Sequence, residues 1–388
     1  MEKIVIIGAN EFQNPLILKA KELGYETHVF AWKDGSVGER TADYFYPISI
    51  IEKDEILEKC RQINPVAITT IASDLATNTV NYVAEKLDLK GNTHECCIKS
   101  TNKYKMRLAF EENGIPTPGF EFINDKNDLS KLSSLKYPLI VKPTDRSGSR
   151  AVQKVYSEEE LKQAIDNAIN ISFEKGCIVE EFIEGDEYSL EGISFDGNHK
   201  FLAFTQKITT GEPNFIETGH IQPADLNEAE KNKIKTIISG ALDALEVENS
   251  ATHSEFKITP EGEVRIIEIG ARMGGDCIGS DLVELSTGYD YKKMVIDVAK
   301  GVKPDFTIKS ESKIAIIKFI LNNDDLTKLE EFEKENNENV YFKSEIENVE
   351  SHEVEDSSTR FGFYILVFKN KKEMDLKGIK SIISRNTC

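Results

Sequence analysis

The sequence predicts a mixed α/β fold, in which a parallel sheet covered by helices is followed by regions richer in strands. Two observations lead to this prediction. Short apolar segments alternate with amphipathic ones through residues 1–100, as is typical of a parallel sheet with helices on both faces. From residue 187 onward, strand-like segments outnumber helical ones. The chain has 388 residues, more than one ordinary domain, so we expect several units.

Residues 1–100 are expected to form an N-terminal, Rossmann-like parallel sheet domain. The predicted strands are Lys3 to Ile7, Glu26 to Ala31 and Val66 to Ile71. The predicted helices are Pro15 to Leu23, Lys53 to Ile63 and Leu75 to Leu87. The turn after the first strand, at Gly8, lacks the further glycines that let a backbone approach a pyrophosphate. We therefore favour a scaffold that contributes one wall of a substrate cleft over a nicotinamide site.

Residues 101–186 are expected to form a smaller unit that opens with a linker helix. This helix runs from Lys103 to Asn113 and ends at Gly114, and Pro116 and Pro118 follow it. A strand, a Gly/Ser loop, a helix and a second strand come next. Their regular elements are Leu139 to Val141, Glu158 to Ile169 and Cys177 to Glu181.

The rest of the chain divides into a large unit, residues 187–303, and a small β-rich C-terminal subdomain, residues 304–388. Helices are predicted in the large unit at Glu228 to Leu245 and from Leu282 onward. Strands are predicted in the C-terminal subdomain at Lys313 to Leu321 and Gly362 to Phe368. Between them lies an acidic run, residues 330–355, which we interpret as solvated surface. The C-terminal subdomain is also where a homodimer contact is expected, if the chain forms one.

The composition excludes several classes of function. With 48 basic and 67 acidic side chains the net charge is −19, which disfavours electrostatic binding to nucleic acid or to an anionic membrane. A local positive pocket can still bind ATP. No apolar run approaches the roughly 20 residues of a membrane helix, and the start lacks the features of a signal peptide. A cytoplasmic location is therefore expected.

The cysteines point the same way. They form no CxxC pair and no metal-ligand spacing, so we expect reduced thiols rather than disulfides or a zinc site. The six are Cys60, Cys96, Cys97, Cys177, Cys277 and Cys388.

The most informative segment, residues 253–270, reads as a β-hairpin. Two strand-like runs flank the turn Pro-Glu-Gly-Glu, in which Gly262 supplies the positive φ of a tight turn. If Glu261 and Gly262 are the two loop residues, the numbers of paired residues sum to 523. Glu255 and Glu268 are then direct cross-strand partners on one face of the hairpin.

Two opposed carboxylates destabilise a hairpin unless a positive group lies between them. Mg²⁺ prefers carboxylate oxygen and keeps positions open for phosphate, so it is the natural candidate. The alternative is an exposed face on which Glu255 and Glu268 point to water. Lys257 lies on the same face beside Glu255, so the alternation of side chains alone does not decide between the two.

Two further segments carry candidate nucleotide contacts. Lys142 ends a strand, and a Gly/Ser loop with Ser147, Gly148 and Ser149 follows between two arginines. Small residues leave backbone N–H groups free to bind phosphate oxygens, although the spacing is not that of a Walker A motif and a surface loop remains the alternative. The second segment, residues 178–189, can present one carbonyl and one N–H to an adenine edge, or can be an ordinary acidic loop.

In their order along the chain these pieces resemble the ATP-grasp superfamily, and the resemblance covers roughly residues 1–300. The matching pieces are Lys103, Val-Lys-Pro at 141–143, the loop 145–151, Glu-Glu-Phe-Ile at 180–183, Glu187, Glu255 and Glu268. Within the superfamily, residues 217–223, 251–255 and 268–276 are similar to the L-amino-acid ligases, which join two amino acids into a dipeptide. Purine-pathway and other carboxylate–amine ligases share variants of these stretches.

The resemblance implies ATP and Mg²⁺ as cofactors. Lys103 and Lys142 would hold the α- and β-phosphates, and the loop 145–151, with Ser147, Gly148 and Ser149, would close over the triphosphate as a lid. Backbone at Glu181 and Ile183 would contact adenine, with Glu180 and Phe182 in the same segment and Glu187 on the ribose. Glu255 and Glu268 would hold two Mg²⁺ ions between the β- and γ-phosphates, with Mn²⁺ as an alternative. Many relatives carry asparagine two residues after the second glutamate, where this chain has Gly270.

The resemblance also assigns roles at the substrate end. Arg272 lies four residues beyond Glu268, and its guanidinium suits an acyl phosphate or a tetrahedral oxyanion. An ion pair with Asp276 or another neighbour is the alternative for Arg272. Glu217 would meet an α-ammonium group, and His220 a carboxylate or the incoming amine, although His220 could instead cap a turn.

Three functions follow from these assignments. The first is an ADP-forming ligase that joins L-amino acids, through an acyl phosphate, to a peptide product. The second is an ATP-grasp ligase with another small carboxylate or amine, of the purine-pathway or biotin-carboxylase type; no extra basic cluster and no biotinyl-lysine segment favours it. The third is a nucleotide-binding regulator without catalysis, which has little physical reason to keep an opposed carboxylate pair.

Overall fold

The computed structural model describes residues 1–125, 129–213 and 215–383. Three sheets organise this part of the chain: a parallel sheet of four strands, an antiparallel sheet of four strands and a sheet of eight strands. None of its helices combines the length and apolar character that crossing a membrane requires. The five cysteines in it are free and buried, as expected of reduced thiols, and Cys388 lies outside the described residues.

The N-terminal sheet is parallel, as predicted, with the strand order β3-β2-β1-β4. Its strands are β1 (Lys3–Ile7), β2 (Glu26–Phe30), β3 (Tyr44–Tyr46) and β4 (Ala67–Thr69). The helices of this region are α1 (Asn14–Glu22), α2 (Val37–Thr41), α3 (Lys53–Ile63), α4 (Asp74–Lys86) and α5 (His94–Thr101). Strand β1 is a run of β-branched residues that is buried from Ile4 to Ile7, which suits a strand covered on both faces.

The carboxyl end of β1 is filled by the protein itself. Gly8 adopts a φ of 105°, and a Cβ atom there would lie 2.8 Å from Cγ of Gln13. The Gln13 side chain is buried and accepts a hydrogen bond from the amide of Ile71 at 3.1 Å. The space where a dinucleotide would meet the strand is therefore occupied by the Gln13 side chain.

The linker helix α6 (Lys103–Glu112) leads into the small antiparallel sheet, whose strand order is β5-β8-β6-β7. The strands are β5 (Phe120–Ile123), β6 (Leu139–Pro143), β7 (Gln153–Val155) and β8 (Cys177–Glu181), and helix α7 (Glu158–Ile171) packs against them. Helix α7 starts at the N-cap Ser157, whose side chain accepts from the amide of Glu160. This sheet carries Lys142 at the end of β6 and Glu180 at the end of β8.

The eight-stranded sheet has the order β13-β12-β9-β10-β11-β14-β16-β15. Five of its strands belong to the large unit: β9 (Asp186–Phe195), β10 (Asn198–Thr209), β11 (Glu217–Gln222), β12 (Ser250–Ile258) and β13 (Val264–Gly270). The associated helices are α8 (Glu228–Ala244), α9 (Val283–Thr287) and α10 (Tyr291–Ala299). Helix α10 packs on the N-terminal sheet, so one apolar core joins the first domain to the large unit.

The C-terminal residues extend this same sheet instead of forming a sheet of their own. Strands β14 (Ile314–Ile320), β15 (Val340–Lys343) and β16 (Gly362–Phe368) follow β11 through the pairing of β11 with β14. Helices α11 (Asn323–Asn336), α12 (Lys371–Leu376) and α13 (Lys380–Ile383) accompany them. The acidic side chains of the run 330–355 are exposed, apart from the half-buried Glu333, as predicted for a solvated surface.

Candidate active site

A cleft of about 1060 Å³ opens between the small sheet and the eight-stranded sheet. It brings together every residue that the sequence singled out for a site, with the exception of His220. The lining residues from that set are Lys103, Lys142, Ser147, Gly148, Ser149, Glu180, Glu181, Phe182, Ile183, Glu187, Glu217, Glu255, Glu268 and Arg272. Residues spread from position 103 to position 272 therefore converge on one cavity.

Strands β12 and β13 place Glu255 directly opposite Glu268, so the predicted pairing is confirmed. The register that produces it differs from the predicted one. The turn has three loop residues, 260–262. The Thr259 amide donates to the Glu263 carbonyl at 2.9 Å, and Ile258 pairs with Val264. A β-bulge between Glu255 and Phe256 then adds one residue to β13 and restores the pair. The extra loop residue and the bulge each shift the pairing by one residue, in opposite directions, so that the two shifts cancel.

The Glu255 carboxylate is held by two cationic side chains. Lys207 of β10 donates to its Oε1, and Nε2 of His253 lies 3.0 Å from the same oxygen. Burial alone would raise the pKa of Glu255, but the charges of Lys207 and His253 hold it well below its usual range. The two cations therefore favour the ionised form of Glu255.

Lys207 is the centre of an acidic cluster. Besides Glu255, its Nζ atom lies 3.1 Å from Glu187 and 3.6 Å from Glu217. Burial alone would lower the pKa of Lys207, but these three carboxylates raise it well above its ordinary value. The sequence analysis did not single out Lys207; the signal that could have found it is a lysine in a strand-like run that begins with the apolar residues 201–204.

His253 joins Glu255 to a second, fully buried carboxylate. Its Nδ1 atom contacts Glu191, which also accepts from the amide of Gly274 at 3.1 Å. Burial alone would lower the pKa of His253, but Glu191 and then Glu255 raise it to about 9. The imidazole is therefore charged at neutral pH and helps to fix the position of Glu255.

Glu268 is held from the other side of the cleft. Nζ of Lys103, the first residue of α6, lies 2.9 Å from Oε1 of Glu268 and donates to the carbonyl of Arg146 at 2.7 Å. A lysine thus neutralises each member of the opposed carboxylate pair: Lys207 for Glu255 and Lys103 for Glu268.

The donor set can be compared with what a metal ion needs. Within the described residues no group of three or more His, Cys, Asp or Glu side chains could hold a metal ion by itself. Mg²⁺ usually takes one or two carboxylates and completes its shell with water and substrate phosphates. Glu255 and Glu268 fit a magnesium ion that arrives with a nucleotide, and do not fit a metal bound permanently by the protein.

Lys142 belongs to a buried ion cluster in the small sheet. Its Nζ atom lies 2.7 Å from Oε2 of Glu180, and Nε of Arg107 lies 2.7 Å from Oε1. Burial lowers the pKa of Lys142, and Glu180 opposes that effect. Both oxygens of Glu180 are therefore bound by protein cations, and Arg107, which the sequence analysis missed, fixes the carboxylate from α6.

The loop 145–151, which we call the lid loop, lies closed against the large unit. Gly148, Ser149 and Ala151 have φ values of 73°, 59° and 51°, a left-handed stretch that turns the backbone tightly. Ser149 Oγ donates to the carbonyl of Phe215 at 3.5 Å. Just beyond the loop, Nζ of Lys154 lies 2.5 Å from Glu212. The small residues at 147–149 thus line the cleft while neighbouring side chains anchor the loop.

The segment 180–183, which we call the hinge, has part of its backbone committed to the sheet. The Glu181 amide donates to the Gly119 carbonyl at 2.9 Å, and the Phe182 amide donates to the Pro138 carbonyl at 3.0 Å. If Glu181 contacts an adenine base, it must do so through its backbone carbonyl group, because its amide is already hydrogen-bonded. Lys257 packs over the Phe182 ring at 4.8 Å and donates to the Ile183 carbonyl at 3.1 Å.

Arg272 is engaged in an ion pair, but not with Asp276. Its Nε and Nη2 atoms bond Asp74 of the N-terminal domain at 2.7 and 2.8 Å. Asp276 pairs instead with Arg360 of the C-terminal subdomain, whose Nη2 lies 2.6 Å from Oδ1. Neither Asp74 nor Arg360 was assigned to the site from the sequence.

His220 lies beneath the cleft wall and is 1% exposed. Its Nε2 atom is 3.5 Å from Asp276, and its ring packs edge-on against Phe319 at 5.8 Å between centroids. Glu217, by contrast, reaches the cleft and accepts from the hydroxyl of Ser357. His220 therefore cannot contact a substrate directly in this conformation. His220 does not cap a turn either, because it lies within β11.

Comparisons with known proteins agree with this geometry. Residues 135–281 match the family model described as the ATP-grasp domain. Alanine–anticapsin ligase of Bacillus subtilis (strain 168) is 29% identical over 303 residues, which cover 69% of this chain and 63% of that protein. Formate-dependent phosphoribosylglycinamide formyltransferase of Prochlorococcus marinus (strain MIT 9515) is 25% identical over 260 residues, 63% of each chain. The chain thus spans 63% of the length of these curated relatives.

Solved structures extend the likeness to nearly the whole chain. The L-amino acid ligase from Bacillus licheniformis has a TM-score of 0.82 at 23% identity, covering 99% of this chain and 98% of the other. Phosphoribosylglycinamide synthetase from Anaerococcus prevotii has a TM-score of 0.76 at 25% identity, with the same coverage. The chain therefore has the ATP-grasp fold, with an ATP-grasp domain at residues 135–281, and resembles the ATP-grasp amino-acid ligases.

Proposed function

We propose that this chain is an ATP-dependent ligase that joins two L-amino acids through an acyl phosphate and releases ADP and phosphate. One observation carries the proposal: Glu255 and Glu268 are direct cross-strand partners in a cleft on which Lys103, Lys142 and Lys207 converge. Opposed carboxylates surrounded by lysines are what the transfer of a phosphoryl group between anionic partners requires.

The nucleotide end of the cleft comprises Lys103, Lys142, the lid loop, the hinge and Glu187. Lys103 and Lys142 bind the α- and β-phosphates, and Ser147, Gly148 and Ser149 cover the triphosphate. The hinge contacts adenine through the Glu181 carbonyl and Ile183, beside Phe182, and Glu187 accepts the ribose hydroxyls. Glu180 supports this end indirectly, because Lys142 and Arg107 occupy both of its oxygens.

Glu255 and Glu268 would hold two magnesium ions, or manganese in their place. When bound, the metal supplies positive charge at the β- and γ-phosphates and lowers the barrier to phosphoryl transfer. Lys103, which now neutralises Glu268, would then be free to contact phosphate oxygens. Lys207, which now neutralises Glu255, would keep Glu187 and Glu217 as partners.

The chemistry needs two steps. A carboxylate oxygen of the first amino acid attacks the γ-phosphorus, and the bond between that phosphorus and the ADP oxygen breaks. The amine of the second amino acid then attacks the acyl carbon, phosphate leaves, and the nitrogen loses a proton. Arg272 stabilises the negative charge that develops on the acyl oxygen, which suits its position in the cleft beside Glu268.

The substrate end of the cleft comprises Glu217, Arg272 and the residues behind them. Glu217 receives the α-ammonium group of an amino acid, since its carboxylate faces the cleft. His220 acts from beneath as a support for Asp276 and does not touch the substrate in this conformation. The likeness to alanine–anticapsin ligase supports an amino acid at this end.

Two other functions remain to be compared by experiment. A ligase with another small carboxylate or amine, of the purine-pathway or biotin-carboxylase type, is favoured by the likeness to phosphoribosylglycinamide synthetase. A nucleotide-binding regulator without catalysis is disfavoured by the presence of Lys103, Lys142, Glu255, Glu268 and Arg272 in one cleft.

The test is ADP release from Mg-ATP in the presence of single amino acids and of all their pairs. Release that requires two amino acids together, with a peptide product seen by mass spectrometry, is the expected result. Release that requires a different carboxylate or amine would favour the second function. Binding of Mg-ATP without any ADP release would favour the regulator. Absence of nucleotide binding would refute all three.

A further inference from the structure

An ion pair crosses the boundary between the N-terminal domain and the cleft. Asp74, the first residue of α4, binds Arg272 through two parallel hydrogen bonds, Nε to Oδ1 at 2.7 Å and Nη2 to Oδ2 at 2.8 Å. The two side chains are only 15% and 13% exposed. This two-point geometry fixes both the direction and the plane of a guanidinium group, which a single hydrogen bond does not.

Gly270 provides the space that this pair occupies. A Cβ atom at position 270 would lie 3.1 Å from Cζ and Nε of Arg272 and 3.1 Å from Oδ1 of Asp74. The backbone of Gly270 is in a β-strand, so the position needs glycine for space and not for a left-handed φ. Any side chain at this position would have to displace the Asp74–Arg272 pair by a few tenths of an ångström.

The backbone reinforces the same contact. The amide of Ala72, two residues before Asp74, donates to the carbonyl of Met273 at 3.1 Å, and Nη1 of Arg272 donates to that carbonyl at 3.3 Å. Arg272 lines the cleft together with Glu268. Asp74 lines an adjoining pocket, which also contains Lys103 and Glu268. The start of α4 and the end of β13 thus hold the guanidinium between them.

We propose that Asp74 is a positioning residue, which holds Arg272 toward the reacting groups, and that Gly270 is glycine because the pair needs its space. The inference rests on the proposed function, since it assigns Arg272 to acyl transfer. It gives the N-terminal domain a part in the reaction. A carboxylate from outside the ATP-grasp domain orients the arginine, and nucleotide binding does not depend on it.

The experiment compares Asp74→Asn, Gly270→Ala and the double variant with the wild-type chain. The matched control is Asp290→Asn, because Lys19 and Asp290 form another ion pair between the N-terminal domain and the large unit, at 3.2 Å and away from the cleft. Asparagine at 290 keeps the cap of α10. The readouts are kcat, KM for ATP and the midpoint of thermal unfolding.

Both single variants should lower kcat about tenfold or more, because a small displacement of a group near the reaction has a large effect on rate. KM for ATP should stay within about twofold of wild type. The double variant should be far less impaired than the product of the two single effects, since both changes disturb one contact. Asp290→Asn should keep the wild-type kcat.

Three results would overturn the inference. In the first, Asp74→Asn retains the wild-type kcat. In the second, kcat, KM and the unfolding midpoint change together in Asp74→Asn, as they would for a purely structural ion pair. In the third, the two single effects multiply fully. A wild-type chain without ADP formation in the substrate screen would instead refute the proposed function, and this inference with it.

Discussion

At the proposed nucleotide end of the cleft, Lys142, the lid loop and the hinge come from one stretch of about 45 residues, 139–183. At the substrate end, Asp74, Glu217, Arg272 and Arg360 come from four distant parts of the chain and three structural units. Most of the first end is a local motif on the small sheet, to which α6 adds Lys103 and β9 adds Glu187. The second is an assembly of ion pairs between domains, so its shape depends on how those domains pack.

The difference between the two ends indicates where substrate selectivity can vary in this molecule. Of the proposed phosphate contacts, Lys142 and the lid loop come from one short segment, and α6 adds Lys103. The substrate end is held by paired charges, Asp74 with Arg272 and Asp276 with Arg360, that contribute orientation as well as stability. The predictions that follow test whether the two ends can be disturbed separately.

The largest effect is expected at the junction of the two ends. Glu268→Gln should lower ADP formation about 10²–10³-fold, because a neutral amide cannot balance a divalent cation at the phosphates. Thermal unfolding should change little, since the amide keeps the shape of the side chain. Glu263→Gln, on an exposed part of the same hairpin, is the control. Near-normal turnover in Glu268→Gln would remove Glu268 from the proposed metal site.

Lys207 belongs to both ends, because Glu187, Glu217 and Glu255 all depend on it. Lys207→Met should reduce the free energy of unfolding at pH 7 by about 3–5 kcal/mol, since three carboxylates lose their shared cation. Urea denaturation without nucleotide measures the change. Lys200→Met, exposed on the same strand, should change it by less than about 0.5 kcal/mol. Equal effects of the two substitutions would contradict the cluster.

The Asp276–Arg360 pair should make the substrate end sensitive to acid. Burial alone would raise the pKa of Asp276, but Arg360 and then His220 hold it well below its usual range. A lowered folded-state pKa contributes stability above the unfolded-state value of about 4, and this contribution is lost as the pH falls below that value. Arg360→Met should therefore destabilise the chain by about 3 kcal/mol at pH 7 and by clearly less at pH 3.

Urea titrations of wild type and Arg360→Met at both pH values measure this difference. Lys371→Met removes the exposed Lys371–Asp225 pair of the same C-terminal region and serves as the control, with little effect at either pH. A destabilisation by Arg360→Met that is the same at pH 7 and pH 3 would show that Asp276 does not depend on Arg360 for its charge.

The smallest effects separate the two ends most directly. Glu217→Ala should raise KM for the amino acid about tenfold and leave KM for ATP nearly unchanged, because it removes one charge-assisted hydrogen bond to the substrate. Glu187→Ala should do the reverse. Both glutamates contact Lys207, so each variant controls for the loss of that contact in the other. Parallel changes of both constants in both variants would remove the distinction between the two ends.

The hairpin illustrates how far sequence reasoning reached. The Pro-Glu-Gly-Glu turn and the alternation around it were enough to pair Glu255 with Glu268, and the structure has this pair. The loop is nevertheless one residue longer than predicted, and a bulge near Ile267 compensates. Turn residues determine that a hairpin forms. Bulges depend on the neighbouring strand β9 and on packing, which a local pattern does not contain.

The residues that were missed share one property: their partners are far away along the chain. Arg107 binds Glu180 across 73 positions, and Asp74 binds Arg272 across 198. The alternative interpretation of Arg272 was an ion pair with Asp276 or another neighbour, yet Asp276 pairs with Arg360, 84 positions away. Proximity along the chain is a poor guide to ion pairs when the two partners belong to different structural units.

The sequence by itself determined the parallel N-terminal sheet, the hairpin with its two carboxylates, the strand that ends in Lys142 and the glycine-serine loop. Each of these depends on periodicity, turn residues and contacts between neighbours in the chain. Only the tertiary structure decided which cation neutralises each carboxylate, which side chains lie against Gly270 and why His220 lies beneath the cleft. Those features depend on charges brought together from distant segments, and their positions are set by how the domains bury one another.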